Sequence, residues 1–103
     1  MSGLTTHVLD TVRGRPAAGV AIELRDPDQP VTSVITDADG RAVVLEQLRA
    51  GTYELRFAIG AYFGEDPPFL DVVPVRFHVA DPAAHHHVPL LCTPWSYTTY
   101  RGS

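Results

Sequence analysis

The sequence predicts an all-β fold: a two-sheet sandwich of about eight strands with one short helical turn. Three observations carry this. Short runs rich in Val, Ile, Thr, Tyr and Phe recur along the whole chain, Gly, Pro and Asp separate them, and helical periodicity of apolar residues is hard to find. The 103 residues, 45% of them apolar, supply one compact domain with one core.

The predicted strands span residues 4–10, 20–25, 31–36, 41–45, 53–59, 72–79, 86–93 and 96–100. The breaks between them have turn chemistry. Residues 14–16, 26–30, 37–40 and 81–82 hold the glycines that supply positive φ and the prolines that preset it. A helical turn is expected within residues 60–66, too short to stand alone and stopped by Pro67-Pro68. Residues 1–3 precede the first strand and carry no proposed role.

Composition removes several function classes. The formal net charge is −4 and the basic residues are scattered singly, so no stripe follows a phosphate backbone and nucleic-acid binding is not expected. All eight basic residues are arginines, which leaves no side-chain amine for Schiff-base chemistry and makes guanidinium the only fixed cation. Cys92 is the single cysteine, so no intrachain disulfide forms and nothing demands an oxidising compartment. The opening MSGLTTHVLD has neither the charged start nor the long apolar run of a signal peptide or membrane span. A cytoplasmic location, with no membrane partner, is the expectation.

Histidine is the residue to follow, because five occur and three of them, His85, His86 and His87, open an apolar strand. Side chains alternate along a strand, so His86, Val88, Leu90 and Cys92 share the face that reads as core, and His87, Pro89 and Leu91 share the other. In the first strand Thr5, His7 and Leu9 oppose Leu4, Thr6 and Val8. His7 and His87 are thus predicted off the core. A half-exposed histidine bonded to a neighbour is the plain reading of each. Neutral imidazole is also the side chain best suited to take a proton from water at neutral pH. His85 and His87 could chelate from one face, but no Cys pair, HExxH or carboxylate at ligand spacing joins them, so no metal is expected.

Arg41 follows the turn at residues 37–40 and begins a strand. It reads as a solvated arginine beside an acidic turn or as a cation at a strand edge. The closing residues Tyr100, Arg101, Gly102 and Ser103 form a polar tetrapeptide directly after a strand, which on general grounds is a frayed end.

A resemblance changes these readings. The opening LTTHVLDTVRGRPAAGV, the middle TDADGR followed by GTYELRF and AYF, and the ending HHHVPLLCTPWSYTTYRGS resemble, in order and over almost the whole chain, the transthyretin-related 5-hydroxyisourate hydrolase family. The YRGS ending after a VPLL strand is the specific part, resembling the mark that separates the hydrolases from hormone-carrying transthyretins. The resemblance implies a homotetramer of transthyretin-like sandwiches around a central channel, with active sites where dimers meet and no cofactor. It places catalytic roles on His7, Arg41 and His87, and substrate binding on Tyr100, Arg101, Gly102 and Ser103. The implied reaction opens the six-membered ring of 5-hydroxyisourate at its N1–C6 amide, giving 2-oxo-4-hydroxy-4-carboxy-5-ureidoimidazoline. His86 stands where the family commonly has tyrosine, Cys92-Thr93 where it has Leu-Ser, and Ser96 and Thr98 where it has Gly and Ser. The rival readings are a transthyretin-like carrier of small ligands, which would want an apolar channel and no base, and an interaction domain using its edge strands.

Overall fold

A computed structural model describes residues 3–103; Met1 and Ser2 lie outside the described residues. The strands are β1 (Gly3–Asp10), β2 (Arg15–Pro16), β3 (Ala21–Asp26), β4 (Gln29–Ile35), β5 (Arg41–Leu45), β6 (Gly51–Phe57), β7 (Val73–Val79), β8 (His85–His87), β9 (Leu90–Cys92) and β10 (Tyr97–Thr99), with one helix, α1 (Ile59–Phe63), between β6 and β7. Two sheets face each other. In the first, the leading half of β1 runs antiparallel to β5 and parallel to β8, and its trailing half runs antiparallel to β2 and parallel to β9, with β10 beyond. The second is antiparallel in the order β4-β3-β6-β7.

The all-β sandwich matches the sequence reading, with local corrections. The run 86–93 is two strands, because Pro89 has no N–H to give a ladder and the pairing with β1 lapses there. Arg15–Pro16, expected within a turn, forms a short edge strand on β1. The strand expected to reach Ile59 stops at Phe57, since Ile59 opens the helix, which is capped at Gly64. Gly3, expected ahead of the first strand, already belongs to it.

Alternation sorts the first sheet cleanly. Leu4, Thr6 and Val8 of β1, Val44 of β5, Val88, and Leu90 and Cys92 of β9 are buried against Ile22, Leu24, Leu55, Phe57, Val73 and Val79 of the second sheet. Truncating a fully buried leucine such as Leu4 or Leu55 to alanine would cost about 2–5 kcal/mol. Polar groups on this inner face are satisfied: Thr6 donates to the Val88 carbonyl at 2.6 Å. Burial and the neighbouring Asp10 push the Cys92 thiol up to about 11, leaving it a protonated, small core side chain.

Asp10 ends β1 inside the protein, with no exposed surface. Burial alone would raise its pKa. Hydrogen bonds outweigh that and hold it below the usual carboxylate range: the backbone N–H groups of Arg13 and Val12 donate at 3.0 Å, the Arg13 guanidinium at 2.7 Å and the Tyr62 hydroxyl at 2.9 Å. This knot ties the helix to the end of β1 and orients the turn that follows.

Candidate active site

Three strands bring the predicted side chains together on the outer face of the first sheet. In the β1–β5 register His7 lies opposite Arg41, and in the parallel β1–β8 register Thr5 lies beside His87. His7, Arg41 and His87 line one open pocket of about 350 Å³, with Thr5, Thr6, Asp37, Ala42 and Val43.

Arg41 is placed by its turn. The Asp37 carboxylate accepts from the backbone N–H groups of Asp39 at 2.9 Å and Arg41 at 3.0 Å, and the Asp37 carbonyl accepts from Gly40 N–H at 2.9 Å. Gly40 has φ +73°, and a Cβ there would lie 2.5 Å from the Val8 carbonyl oxygen, so only glycine lets the turn press under β1. Its carbonyl accepts from Val8 N–H at 2.8 Å, docking the turn one residue past His7. Asp37 thus acts on the arginine's backbone, and among the described residues no carboxylate forms an ion pair with the Arg41 side chain.

The imidazoles differ in their partners. His7 is half-buried, and its Nε2 is buried with no hydrogen-bond partner. His87 Nδ1 lies 2.8 Å from Thr5 Oγ1, which also lies 2.9 Å from Nε2 of the exposed His85. Burial pushes the pKa of His87 down, and the nearby His85, His7 and Arg41 push it further, against a smaller opposing contribution from hydrogen bonding with Thr5. At neutral pH the ring is neutral, the state a general base needs. His86 faces inward as alternation predicts, with Nδ1 2.9 Å from the Ala84 carbonyl. Among the described residues no three His, Cys, Asp or Glu side chains are placed to hold a metal ion.

Residues 100–103 continue a ladder. The β9–β10 register pairs Tyr97 with Cys92 and Thr99 with Leu90, and the same register brings Gly102 opposite His87, where Gly102 N–H donates to the His87 carbonyl at 2.8 Å. A Cβ on Gly102 would lie 2.4 Å from Cδ2 of the His87 ring. The tail therefore rests against the very imidazole that the pocket contains. Tyr100 and Arg101 do not line that pocket. With His87, His86, His78 and Phe77 they line a neighbouring one of about 140 Å³. Ser103 follows the bridge and is exposed.

The family model described as HIUase/Transthyretin family matches residues 4–102 of this chain. The chain belongs to that family. A Deinococcus radiodurans protein named 5-hydroxyisourate hydrolase is 55% identical, over 98% of this chain and 96% of its own length. The solved structure of Klebsiella pneumoniae 5-hydroxyisourate hydrolase superposes with a TM-score of 0.89 at 34% identity, covering 99% of this chain and 100% of that one. Sea bream transthyretin in complex with thyroxine superposes with a TM-score of 0.83 at 33% identity, over 96% and 93%. The sandwich is therefore common to a hydrolase and to a transthyretin solved with thyroxine, so the fold alone does not separate the two. Two side chains beside the pocket, Thr5 and His85, escaped the sequence reading as site residues. The signal for Thr5 was its place on the same strand face as His7; the signal for His85, its spacing of two from His87.

Proposed function

We propose that this protein is a 5-hydroxyisourate hydrolase that opens the substrate ring at its N1–C6 amide. The carrying observation is one pocket that joins two imidazoles, His7 and His87, to a guanidinium that forms no ion pair among the described residues. The hydrolase names of its relatives support the same reading. His7 and His87 take a proton from water as its oxygen attacks the carbonyl, and Arg41 faces the negative charge that develops on the carbonyl oxygen. The buried, unpartnered Nε2 of His7 awaits a polar group such as that water. Tyr100, Arg101, Gly102 and Ser103 are assigned to substrate binding, Gly102 from beside the His87 ring and Tyr100 and Arg101 from the adjoining pocket that His87 also lines, with Arg101 offering a planar fork to planar acceptors. No cofactor takes part.

The functional unit in this reading is a homotetramer. Val43, in the pocket wall, is 58% exposed, and Leu9 and Leu91, farther along the same face, are half-buried. Covering this apolar surface with a second copy would deepen an otherwise open pocket. Among the described residues no helix is long and apolar enough to cross a membrane. The free, buried Cys92 supports a reducing compartment, and we assign the enzyme to the cytoplasm. The test is spectrophotometric: freshly generated 5-hydroxyisourate should decay far faster with the protein than without it. Tight ligand binding without acceleration would favour a carrier.

A further inference from the structure

Thr5 stands between two imidazoles, its Oγ1 2.8 Å from Nδ1 of His87 and 2.9 Å from Nε2 of His85. A threonine hydroxyl has one hydrogen, so it donates to one ring and accepts from the other. With both rings neutral, two arrangements follow. In the first, Nδ1–H of His87 donates to Thr5 and Thr5 donates to Nε2 of His85, which leaves Nε2 of His87 as a free lone pair. In the second, Nε2–H of His85 donates to Thr5 and Thr5 donates to Nδ1 of His87, so Nε2 of His87 carries the hydrogen. The two rings change tautomer together. One end of this bonded chain is the partly buried His87 in the pocket and the other is the exposed His85.

We propose that Thr5 and His85 form a proton relay that switches His87 between base and acid, an inference that rests on the hydrolase reading. Starting from the first arrangement, an O–H bond of the attacking water breaks and its proton bonds to Nε2 of His87. The Nδ1–H bond breaks as that proton bonds to Thr5 oxygen, the original Thr5 O–H bond breaks as its proton bonds to Nε2 of His85, and His85 releases its Nδ1 proton to solvent. His87 is now neutral with hydrogen on Nε2, the second arrangement. Reversing the transfers, with one proton entering His85 from solvent, delivers the Nε2 proton to the leaving ring nitrogen and restores the first. The positive charge passes through the exposed ring and is never held on the part-buried one, where burial and then the neighbouring His85, His7 and Arg41 disfavour it.

Thr5 and His85 are positioning residues in this scheme, and the test uses the full chain with Thr5→Val, Thr5→Ser and His85→Ala. Thr5→Val should lower kcat roughly ten- to a hundredfold with KM little changed, and Thr5→Ser should recover to within about threefold of wild type. His85→Ala should lose about tenfold, and added imidazole should restore part of its activity while leaving Thr5→Val unaffected. Ring-nitrogen NMR without substrate should show that Thr5→Val alters the tautomer populations of both rings. Wild-type kcat in Thr5→Val, or rings that respond independently, would overturn the relay. A wild-type protein without turnover would instead refute the hydrolase reading, while the ring spectra still decide whether the tautomers are coupled.

Discussion

The two sheets turn opposite kinds of polar surface outward. On the second sheet, Glu54 accepts from Arg56 at 2.7 Å and Arg76 at 3.3 Å, and Glu23 lies within 3.5 Å of Arg25 and 3.8 Å of Arg56. A larger pocket, about 590 Å³, lies there, lined by Glu23, Glu54 and Arg56. Its charges are already neutralised by one another. Even Arg25, whose Nε lacks a partner, reaches Glu23 through another nitrogen. On the first sheet the pocket is smaller, yet among the described residues Arg41 has no carboxylate partner and Nε2 of His7 has no hydrogen-bond partner. The difference teaches that unsatisfied chemistry, more than pocket size, marks where a ligand belongs.

Substitutions on the first face should break catalysis, and this is the largest effect expected. His7→Asn and His87→Asn should each lower kcat by roughly two or more powers of ten, the usual range for loss of a general base, with little change in Tm. Glu54→Gln on the second face should do the reverse, lowering Tm while kcat stays at the wild-type value. Steady-state kinetics paired with thermal melts distinguish these outcomes, and a kcat loss in Glu54→Gln would dissolve the contrast between the faces.

Next in size is the tail. Truncation after Thr99 removes the bridge to His87 and should abolish most turnover while circular dichroism still reports the sandwich. Gly102→Ala keeps the backbone N–H but pushes a methyl into the His87 ring, and it should cost about tenfold in kcat/KM, in line with displacing a positioned group. An alanine variant with wild-type kinetics would mean that the ring's position is not held from this side.

Much of this was legible in the sequence, and the limits are physical. Alternation within a strand is local, so the outward placement of His7 and His87 and the inward placement of His86 could be read directly. The turn at residues 37–40 announced itself through Asp37 and Gly40, because both residue types have specific turn chemistry. Pairing across the chain is not local. Nothing in the spacing of Thr5 and His87 reveals that β1 and β8 run parallel, so the shared hydroxyl stayed hidden. Tyr100 to Ser103 looked frayed for the same reason, since the hairpin register that returns Gly102 to His87 depends on the turn between β9 and β10. Proline has no N–H to give a ladder, yet the consequence at Pro89, two strands in place of one, depended on β1 being the partner on both sides of the break.

A third effect, on stability alone, sharpens the comparison from the core side. Asp10→Asn retains one acceptor for the Val12 and Arg13 N–H groups but loses the charge that Arg13 and Tyr62 address, and it should cost about 2 kcal/mol with catalysis intact. Because the folded-state pKa of Asp10 lies below its ordinary value of 3.8, its contribution is complete above 3.8 and fades as pH falls through the lowered value. Denaturant melts at neutral and acid pH should show the wild type approaching the variant in stability only on the acid side.

The smallest effect is a displacement of a pH profile on the first face. Burial, reinforced by His85, His7 and Arg41, lowers the pKa of His87 below 6.5. A base is active when unprotonated, so the acid limb that His87 contributes to kcat/KM should be centred below 6.5, where the free-enzyme ring gains its proton. Stability has the same sign: the unfolded chain binds this proton more readily, so the His87 contribution is whole above 6.5 and is lost as pH falls through the folded value. Arg41→Gln removes one of the neighbouring cations, and although it slows the reaction, the acid limb that remains should move upward in pH. The measurement is kcat/KM between about pH 5 and 8 for both proteins, with fold checked at each extreme. A wild-type limb centred above 6.5 would show that imidazolium is favoured in the pocket, and His87 would then be better suited to holding an anion than to activating water.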